Sequence, residues 1–448
     1  MRQSHRIPAG AGMARNMLFL ALGALLPAGV AHAARLEYDI GMRYMHSDNI
    51  SLLPEGELSE NILSPQVRFD FSHETSSVNA AIHGEVQHLK YLDGVYEDDT
   101  RGMVMGNVEW TILPDRLSFV VLDTLSEQSV DSLAAFTPGN QQQVNVFEAG
   151  PTFTARFNSV TRGQLDLRYI NSWAEETESF NNRRYNAAAR LLRQLERSDV
   201  LGLNLEATRV DYDTIPDVYD FRRYDAYVSY SSELSRLLLD VNAGYTRLKY
   251  RSTDSKSSTL FRAYAAWEAT PRSTISANLG YQFADAAQDL ILNVSAPGGM
   301  PADPGAPVIG QPDNPGLVII PDTFKQKRAT LGYQFLGERL TLSAEPYYER
   351  IRYLQDDEFD ANTRGVTVSA SYRVGLRTTL LGLAQRYERD FVSTGRSDQD
   401  TILGAGVLVR FSRNWGAQFD VRRRERDSTI PGQDYTENVM MFSVTWFR

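Results

Sequence analysis

Apolar and polar residues alternate with a period of two along almost the whole chain, and this alternation most constrains the fold. The stretch 440–448 shows it clearly, because Met440, Phe442, Val444 and Trp446 share one face and lead into Phe447. A period of two indicates a β-strand and not a helix. An apolar outer face on an aromatic-ended strand is typical of the closing strand of an outer-membrane β-barrel. We therefore predict that these five residues form the strand that carries the assembly signal.

The same alternation recurs throughout residues 34–448. It predicts about twenty strands of the length that tilted membrane-spanning strands need, and eighteen or twenty-two strands stay open. The fold class is therefore all-β, a transmembrane, antiparallel, up-and-down β-barrel. The stretch 183–196 fits least well, since Ala187-Ala188-Ala189 is rich in helix formers.

The connections between the predicted strands alternate between short and long. Short periplasmic turns are predicted at Pro114-Asp115, Pro271-Arg272 and Gly375-Leu376, and long extracellular loops at about 47–64, 128–143 and 286–323. The segment 296–316 is rich in proline and glycine, which oppose strand pairing. It predicts a mobile extracellular loop within a single barrel domain, and a loop folded into the lumen is the alternative.

The first 33 residues read as a secretion signal. Arg2, Arg6 and Arg15 precede an apolar run, Met17–Val30, and the small residues Ala31 and Ala33 follow it. A charged region, a short apolar region and a small-x-small motif predict cleavage after Ala33. We expect Sec-dependent export to the outer membrane of a Gram-negative bacterium, with removal of residues 1–33 and a barrel over 34–448.

The amino-acid composition argues against several classes of structural and functional site. The chain has no cysteine, so disulfides and thiolate metal sites are excluded. Its net charge of -10 argues against a nucleic-acid partner. Removal of the three arginines with the signal would make the charge more negative still.

No arrangement of residues predicts catalysis, a metal or a cofactor. Past residue 33, the only histidines are His46, His73, His83 and His88, and no serine lies in a Gly-x-Ser-x-Gly motif. In a strand, His83 and Glu85 face one way and His88 the other, which is poor geometry for a metal site. The acidic clusters at 97–99 and 356–358 are interpreted as solvated loop charge or as bridges to lipopolysaccharide through divalent cations.

Charged residues of both signs fall on the polar face of the predicted strands. Mutual pairing that stiffens the wall is one role for them, and a charged pore surface that sets solute preference is the other. Tyr227, Tyr264 and Tyr347 share that face and are candidate platforms for sugar rings. The candidate pore-lining residues are Arg68, Asp70, Asp166, Arg168, Arg223, Asp225, Arg262, Glu268, Arg328, Glu345, Arg373, Arg410, Asp420 and Arg422.

Two short motifs resemble those of a known family. Ser47-Asp48-Asn49-Ile50 is similar to an opening motif, and Ala149-Gly150-Pro151 to a later strand, of putative β-barrel porins encoded at exopolysaccharide loci. That family includes PEP-CTERM/exosortase-associated and EpsL-like outer-membrane proteins. Arg448 after Phe447 departs from the usual aromatic ending of these barrels. The resemblance implies an outer-membrane conduit or scaffold linked to polysaccharide secretion.

The leading functional hypothesis is passive passage or export of an exopolysaccharide through a polar lumen. The first alternative is a structural or adhesive scaffold that transports nothing. The second is a general diffusion porin or a barrel enzyme acting on surface polysaccharide. Expected partners are outer-membrane lipid and lipopolysaccharide, the barrel assembly machinery, exopolysaccharide and periplasmic export components.

Overall fold

The described residues fold into one closed sheet of twenty antiparallel strands. The computed structural model describes residues 34–215, 218–251, 254–295 and 318–448, with the backbone alone for 292–295. The predicted signal peptide and its cleavage site at Ala31 and Ala33 lie outside the described residues. The strands are β1 (Ala34–Ser47), β2 (Glu60–Glu74), β3 (Val78–Tyr91), β4 (Asp99–Leu113), β5 (Leu117–Ser129), β6 (Gln141–Arg156), β7 (Thr161–Ala174), β8 (Asn182–Gln194), β9 (Asp199–Tyr212), β10 (Phe221–Glu233), β11 (Leu237–Tyr250), β12 (Lys256–Thr270), β13 (Ser273–Asp285), β14 (Thr323–Leu336), β15 (Leu340–Tyr353), β16 (Ala361–Arg373), β17 (Thr378–Phe391), β18 (Ser397–Arg410), β19 (Trp415–Ser428) and β20 (Tyr435–Phe447).

Each strand pairs with its neighbours in chain order, and β1 also pairs with β20. The predicted antiparallel up-and-down barrel of about twenty strands is therefore confirmed. The doubtful stretch 183–196 is strand β8, paired on both sides, so sheet pairing overrides the helical preference of its alanines. At one barrel end the turns are short. In the predicted turn at Pro114-Asp115, Asp115 adopts a left-handed backbone with φ 57°.

The seam between β1 and β20 closes the barrel. Trp446 lies opposite Ile40 in the register, and its ring centroid is 5.8 Å from that of Tyr38. The backbone N–H of Arg448 donates to the carbonyl of Tyr38 at 2.9 Å, so the pairing continues to the last residue. The apolar face predicted from residues 440–446 points outward, and Met440 and Phe442 are exposed there.

The core lies at the barrel end that carries the long loops, which is the extracellular end of such a protein. One apolar cluster there joins Ile50, Ile62 and Tyr91 beneath the first loops. Another joins Val210, Phe221 and Leu248. The only α-helix of the described chain, α1 (Ala286–Ser295), belongs to this end, with single 3₁₀ turns at Pro138–Asn140 and Glu178–Phe180. Among the described residues, no helix has the length and apolarity to cross a membrane.

Candidate functional site

The strand register sorts the charged residues into those that face the lumen and those that face outward. Asp39 of β1 lies opposite Arg68 of β2, and Nε of Arg68 donates to Oδ1 of Asp39 at 3.0 Å. Because side chains alternate along each strand, this face can be followed around the barrel from strand to strand. All fourteen candidate pore-lining residues fall on it. Their burial differs, since Asp166, Asp225 and Asp420 are buried whereas Glu268, Arg373 and Arg410 are exposed near the periplasmic turns.

A continuous ladder of charges crosses the lumen wall from β6 to β9. Arg168 lies between Glu148, 3.3 Å from Nε to Oε1, and Asp166, 3.8 Å from Nη2 to Oδ1. Arg190 continues the ladder, because it forms an ion pair with Asp166 and lies 3.1 Å from Oε1 of Glu206. Each carboxylate therefore has a cationic neighbour on its own or the next strand, as buried charges require.

Tyrosine extends this ladder to β12. The hydroxyl of Tyr227 donates to Oε1 of Glu206 at 2.5 Å, and the guanidinium of Arg262 lies 5.6 Å from the centre of the Tyr227 ring. Tyr264 and Tyr347 are on the same inward face, where Tyr264 lies opposite Asp240 and Asn278. The wall from β6 to β12 thus presents acids, guanidinium groups and aromatic rings side by side.

A second charged region covers the lumen face of β17–β20 near the extracellular end. Arg426 contacts Asp400 with Nε 3.0 Å from Oδ1, and the hydroxyl of Tyr435 donates to the same oxygen at 3.2 Å. Arg396 and Asp398 form a buried ion pair with Nη2 2.6 Å from Oδ2. Toward the periplasmic end of this region the charges are less completely paired, because Arg422 of β19 forms no ion pair within the described chain.

Helix α1 lies inside the barrel and packs on the lumen face of β6 and β7. Its residues Ala286, Ala287 and Leu290 are buried against a patch formed by Val144, Val146, Ile170, Ala174, Phe180 and Ile319. The patch is apolar although it faces the lumen, and it buries the apolar side of the helix. We call this patch the seat of α1. The connection 286–322 therefore enters the lumen at both of its described ends.

Polar contacts fix α1 at the opposite side. Arg184 of β8 contacts Asp285 with Nη2 2.7 Å from Oδ1, just before the helix begins. Asp289 accepts a hydrogen bond from Nε2 of Gln326 at 3.1 Å and lies 3.4 Å from Nη2 of Arg328. Burial raises the pKa of Asp289 to about 6, although Arg328 lowers it. Arg328 also contacts Glu349 at 2.7 Å, which ties the helix to β14 and β15.

The loop prediction thus needs a correction in its described parts. Residues 286–295 form a helix inside the lumen at the extracellular end, and Ile319 is buried beside it, so these flanks follow the alternative of an inward fold and do not form an external loop. The reason is the apolar seat, which apart from Ile319 consists of residues more than a hundred positions earlier in the chain. The proline-rich segment 296–317 lies outside the described residues, so its mobility stays a prediction.

The histidines and acidic clusters do not converge in the described chain. Nδ1 of His83 lies 2.7 Å from Oδ1 of Asp70 on the lumen face, whereas His88 contacts Thr100 on the outer face. Asp98 accepts the backbone N–H of Tyr91 at 3.0 Å, so it helps shape its own loop. Sequence reasoning missed Arg184, Arg190, Glu206, Asp289 and Glu349. All except Asp289 lie at polar-face positions of predicted strands.

Comparison with known proteins supports the porin class. The family model described as "Putative beta-barrel porin 2" matches residues 361–448. This match confirms the predicted resemblance to putative β-barrel porins. No curated protein matches the sequence. Together with the closed twenty-stranded sheet, the family match identifies an outer-membrane, porin-like β-barrel.

Solved structures of outer-membrane proteins are similar at low identity. The FrpB iron transporter from Neisseria meningitidis is 9% identical over 92% of this chain and 81% of that chain, with a TM-score of 0.43. The ferric enterobactin receptor PfeA from Pseudomonas aeruginosa, in a mutant form, is 10% identical over 92% and 80%, with a TM-score of 0.46. OccK2 (OpdF) from Pseudomonas aeruginosa is 11% identical over 94% and 99%, with a TM-score of 0.38.

Proposed function

We propose that this barrel conducts a sugar-rich polymer, an exopolysaccharide, across the outer membrane through its lumen. The observation that carries the proposal is the ladder from β6 to β12, where Arg168, Arg190, Glu206, Tyr227 and Arg262 follow one another along the wall. Hydroxyl-rich solutes can exchange hydrogen bonds along such a wall without a deep binding site that would hold them. The resemblance to proteins of exopolysaccharide loci supplies the class of solute.

The size of the barrel supports passage. A sheet of twenty strands encloses a lumen wider than its own side chains fill. In the periplasmic half, Glu268, Arg373 and Arg410 are exposed, so the wall there is wetted and charged. At the extracellular end, α1 occupies its seat and takes up part of the lumen. We infer that the connection between β13 and β14 sets the width of the path.

A second candidate is a scaffold that transports nothing. It is favoured by the buried contacts of α1, because a helix held by Arg184 and Arg328 could close the lumen permanently. The two candidates differ in one property, which is ion flow through the isolated barrel.

The test is single-channel conductance of residues 34–448 in a planar bilayer, with neutral and acidic oligosaccharides added to one side. Stable conductance that oligosaccharides block supports a polysaccharide path. Stable conductance indifferent to sugars indicates a general diffusion porin. A folded barrel without conductance favours the scaffold.

A matched pair of variants locates the block in the lumen. Tyr264→Ala removes an inward-facing ring, and Tyr372→Ala removes an outward-facing ring that is 44% exposed. Aromatic faces give sugar rings an apolar surface to pack on. We expect the residence time of the blocking oligosaccharide to fall several-fold in Tyr264→Ala only. Equal residence times in both variants would contradict a lumenal sugar path over Tyr264.

A further inference from the structure

The outer surface of the barrel carries a concave groove that faces the membrane. Its volume is about 630 Å³, and alanines form its floor at Ala149, Ala187 and Ala207. Tyr169 and Tyr224 form its walls. A second hollow of about 460 Å³ shares Ala187, Ala207 and Tyr224 and continues the groove toward Tyr245. Small side chains between large ones on neighbouring strands thus leave an elongated apolar depression.

The extracellular end of this groove is strongly basic. Arg209 of β9 lies directly opposite Arg222 of β10, and Arg222 lies directly opposite Lys249 of β11. Arg209 and Arg222 line the larger hollow, and Arg247 lines the smaller one. Like charges at directly opposed positions destabilise a sheet unless an anion lies between them.

The protein itself provides few carboxylates that could neutralise these cations. Arg209 contacts Asp211 of its own strand, with Nε 2.8 Å from Oδ2. Arg222, Arg247 and Lys249 form no ion pair within the part of the chain that the structure describes. All of them are exposed on the outer face. The cluster therefore has unneutralised positive charge in a protein whose net charge is -10.

The depth of the cluster matches a lipid headgroup. Arg222 is the second residue of β10, and Ala207 lies two residues below Arg209 in β9. At about 3.3 Å per residue, the apolar floor begins roughly 7 Å toward the membrane centre from the cations. A separate set of opposed cations lies on β14 and β15, where Lys327 is opposite Arg350 and Lys325 is opposite Arg352.

From this geometry we propose that the groove binds a phosphorylated, multiply acylated lipid of the outer leaflet. Its phosphates lie on Arg209, Arg222 and Lys249, and an acyl chain lies over Ala187 and Ala207. Cation–phosphate contacts at this level supply the electrostatic part of the binding, and burial of the acyl chain supplies the apolar part.

A second copy of the chain is a less suitable occupant. Its outward carboxylates on β17 and β19 already have partners within their own sheet, as Asp211 has beside Arg209 on β9. Glu388 contacts Arg364 at 2.8 Å, and Glu425 contacts Arg423 at 3.5 Å. If these carboxylates paired with the basic cluster of another copy, the contacts within their own sheet would break. Binding of a lipid phosphate breaks no ion pair of the protein on those strands.

The test measures binding of diphosphorylated hexa-acyl lipid A to the full barrel in detergent by native mass spectrometry. The variant Arg222→Gln/Lys249→Gln removes two charges and keeps polar side chains. We expect its affinity to fall by roughly tenfold to thirtyfold. The control is Arg364→Gln/Arg423→Gln, which removes two outward cations outside the groove and should leave affinity unchanged. Heat-modifiability on gels confirms that each variant is a folded barrel.

A second variant tests the apolar floor of the groove independently of the basic cluster. Ala207→Phe fills the floor without altering any charge, and we expect it to weaken lipid A binding while inorganic phosphate binding stays as in the parent. Equal lipid A affinity in the parent and Arg222→Gln/Lys249→Gln proteins would overturn the proposal. So would a parent protein that is dimeric by light scattering and becomes monomeric in both variants, because the groove would then be an interface between copies.

Discussion

Arg184 of β8 and Asp285 at the end of β13 form an ion pair with Nη2 2.7 Å from Oδ1, and both side chains are at most 5% exposed. The two strands are not neighbours in the sheet, so the pair joins distant parts of the wall. Because α1 begins at Ala286, the pair also sets the direction in which the chain leaves β13. This buried contact therefore helps to anchor the inward course of the connection.

Arg184→Ala should strongly destabilise the extracellular end of the barrel. Removal of one partner leaves a buried charge uncompensated, which costs about 3–5 kcal/mol. We expect a lower urea midpoint for unfolding and a larger single-channel conductance, since α1 loses its anchor. Arg183→Ala is the control, because Arg183 faces outward in a solvent-exposed pair with Asp213 that contributes little to stability. Equal urea midpoints for both variants would contradict the anchoring role.

The docking of α1 should depend on pH through Asp289. Its pKa is about 6 in the docked helix, because burial outweighs the attraction of Arg328, against an ordinary value of 3.8. A raised carboxyl pKa means that the docked state binds a proton more tightly than the undocked state. Protonation of Asp289 therefore stabilises the docked helix in full below about pH 4. This stabilisation is lost as the pH rises through about 6.

We expect conductance to be smaller at pH 5 than at pH 7.5. Asp289→Asn carries no titrating group and should abolish most of the difference. The charged groups that face Asp289, namely Arg328, Glu349 and Asp285, remain in this variant. An Asp289→Asn barrel that keeps the full pH response would assign the effect to another group.

Arg422 should govern the passage of anions through the lumen. It faces inward on β19 beside Asp420 and forms no ion pair within the described chain, whereas its neighbour Arg423 faces outward and contacts Glu425. Arg422→Gln should lower the permeability ratio of chloride to potassium, because a lumenal cation raises the local anion concentration. The reversal potential in a salt gradient measures this ratio. Arg423→Gln should leave it unchanged, and an equal shift in both variants would count against a lumenal role.

The faces of the strands could be predicted from the sequence because they are a local property. Alternation along β1 or β20 determines which side chains share a face, whatever the strand pairs with. Pairing partners are not local. Arg190 meets Asp166 and Glu206 through the register of three strands, so the polar face predicted a charged wall but not its ion pairs.

Helix α1 and the outer groove escaped prediction for the same reason. The seat of α1 comes from Val144, Ile170 and Phe180, which precede the helix by more than a hundred residues. The groove needs Ala149, Ala187 and Ala207 to be neighbours across several strands. Each alanine alone is unremarkable on a membrane-facing strand. Whether these alanines are neighbours depends on the register between strands. A single sequence predicts which residues share a face of a strand but not that register.

Trp446 should matter more to barrel assembly than a comparable tryptophan elsewhere. The seam of β1 with β20 has nine residue pairs against fourteen for β1 with β2, so side-chain contacts carry more of its stability. Trp446→Ala removes the contact with Tyr38 and the packing opposite Ile40, a loss of about 1–3 kcal/mol. We expect less heat-modifiable, folded protein after refolding into lipid. Trp110→Ala is the control, because Trp110 faces outward near a periplasmic turn, is 45% exposed and lies away from the seam. Equal folded yields for the two variants would show that the seam has no special dependence on Trp446.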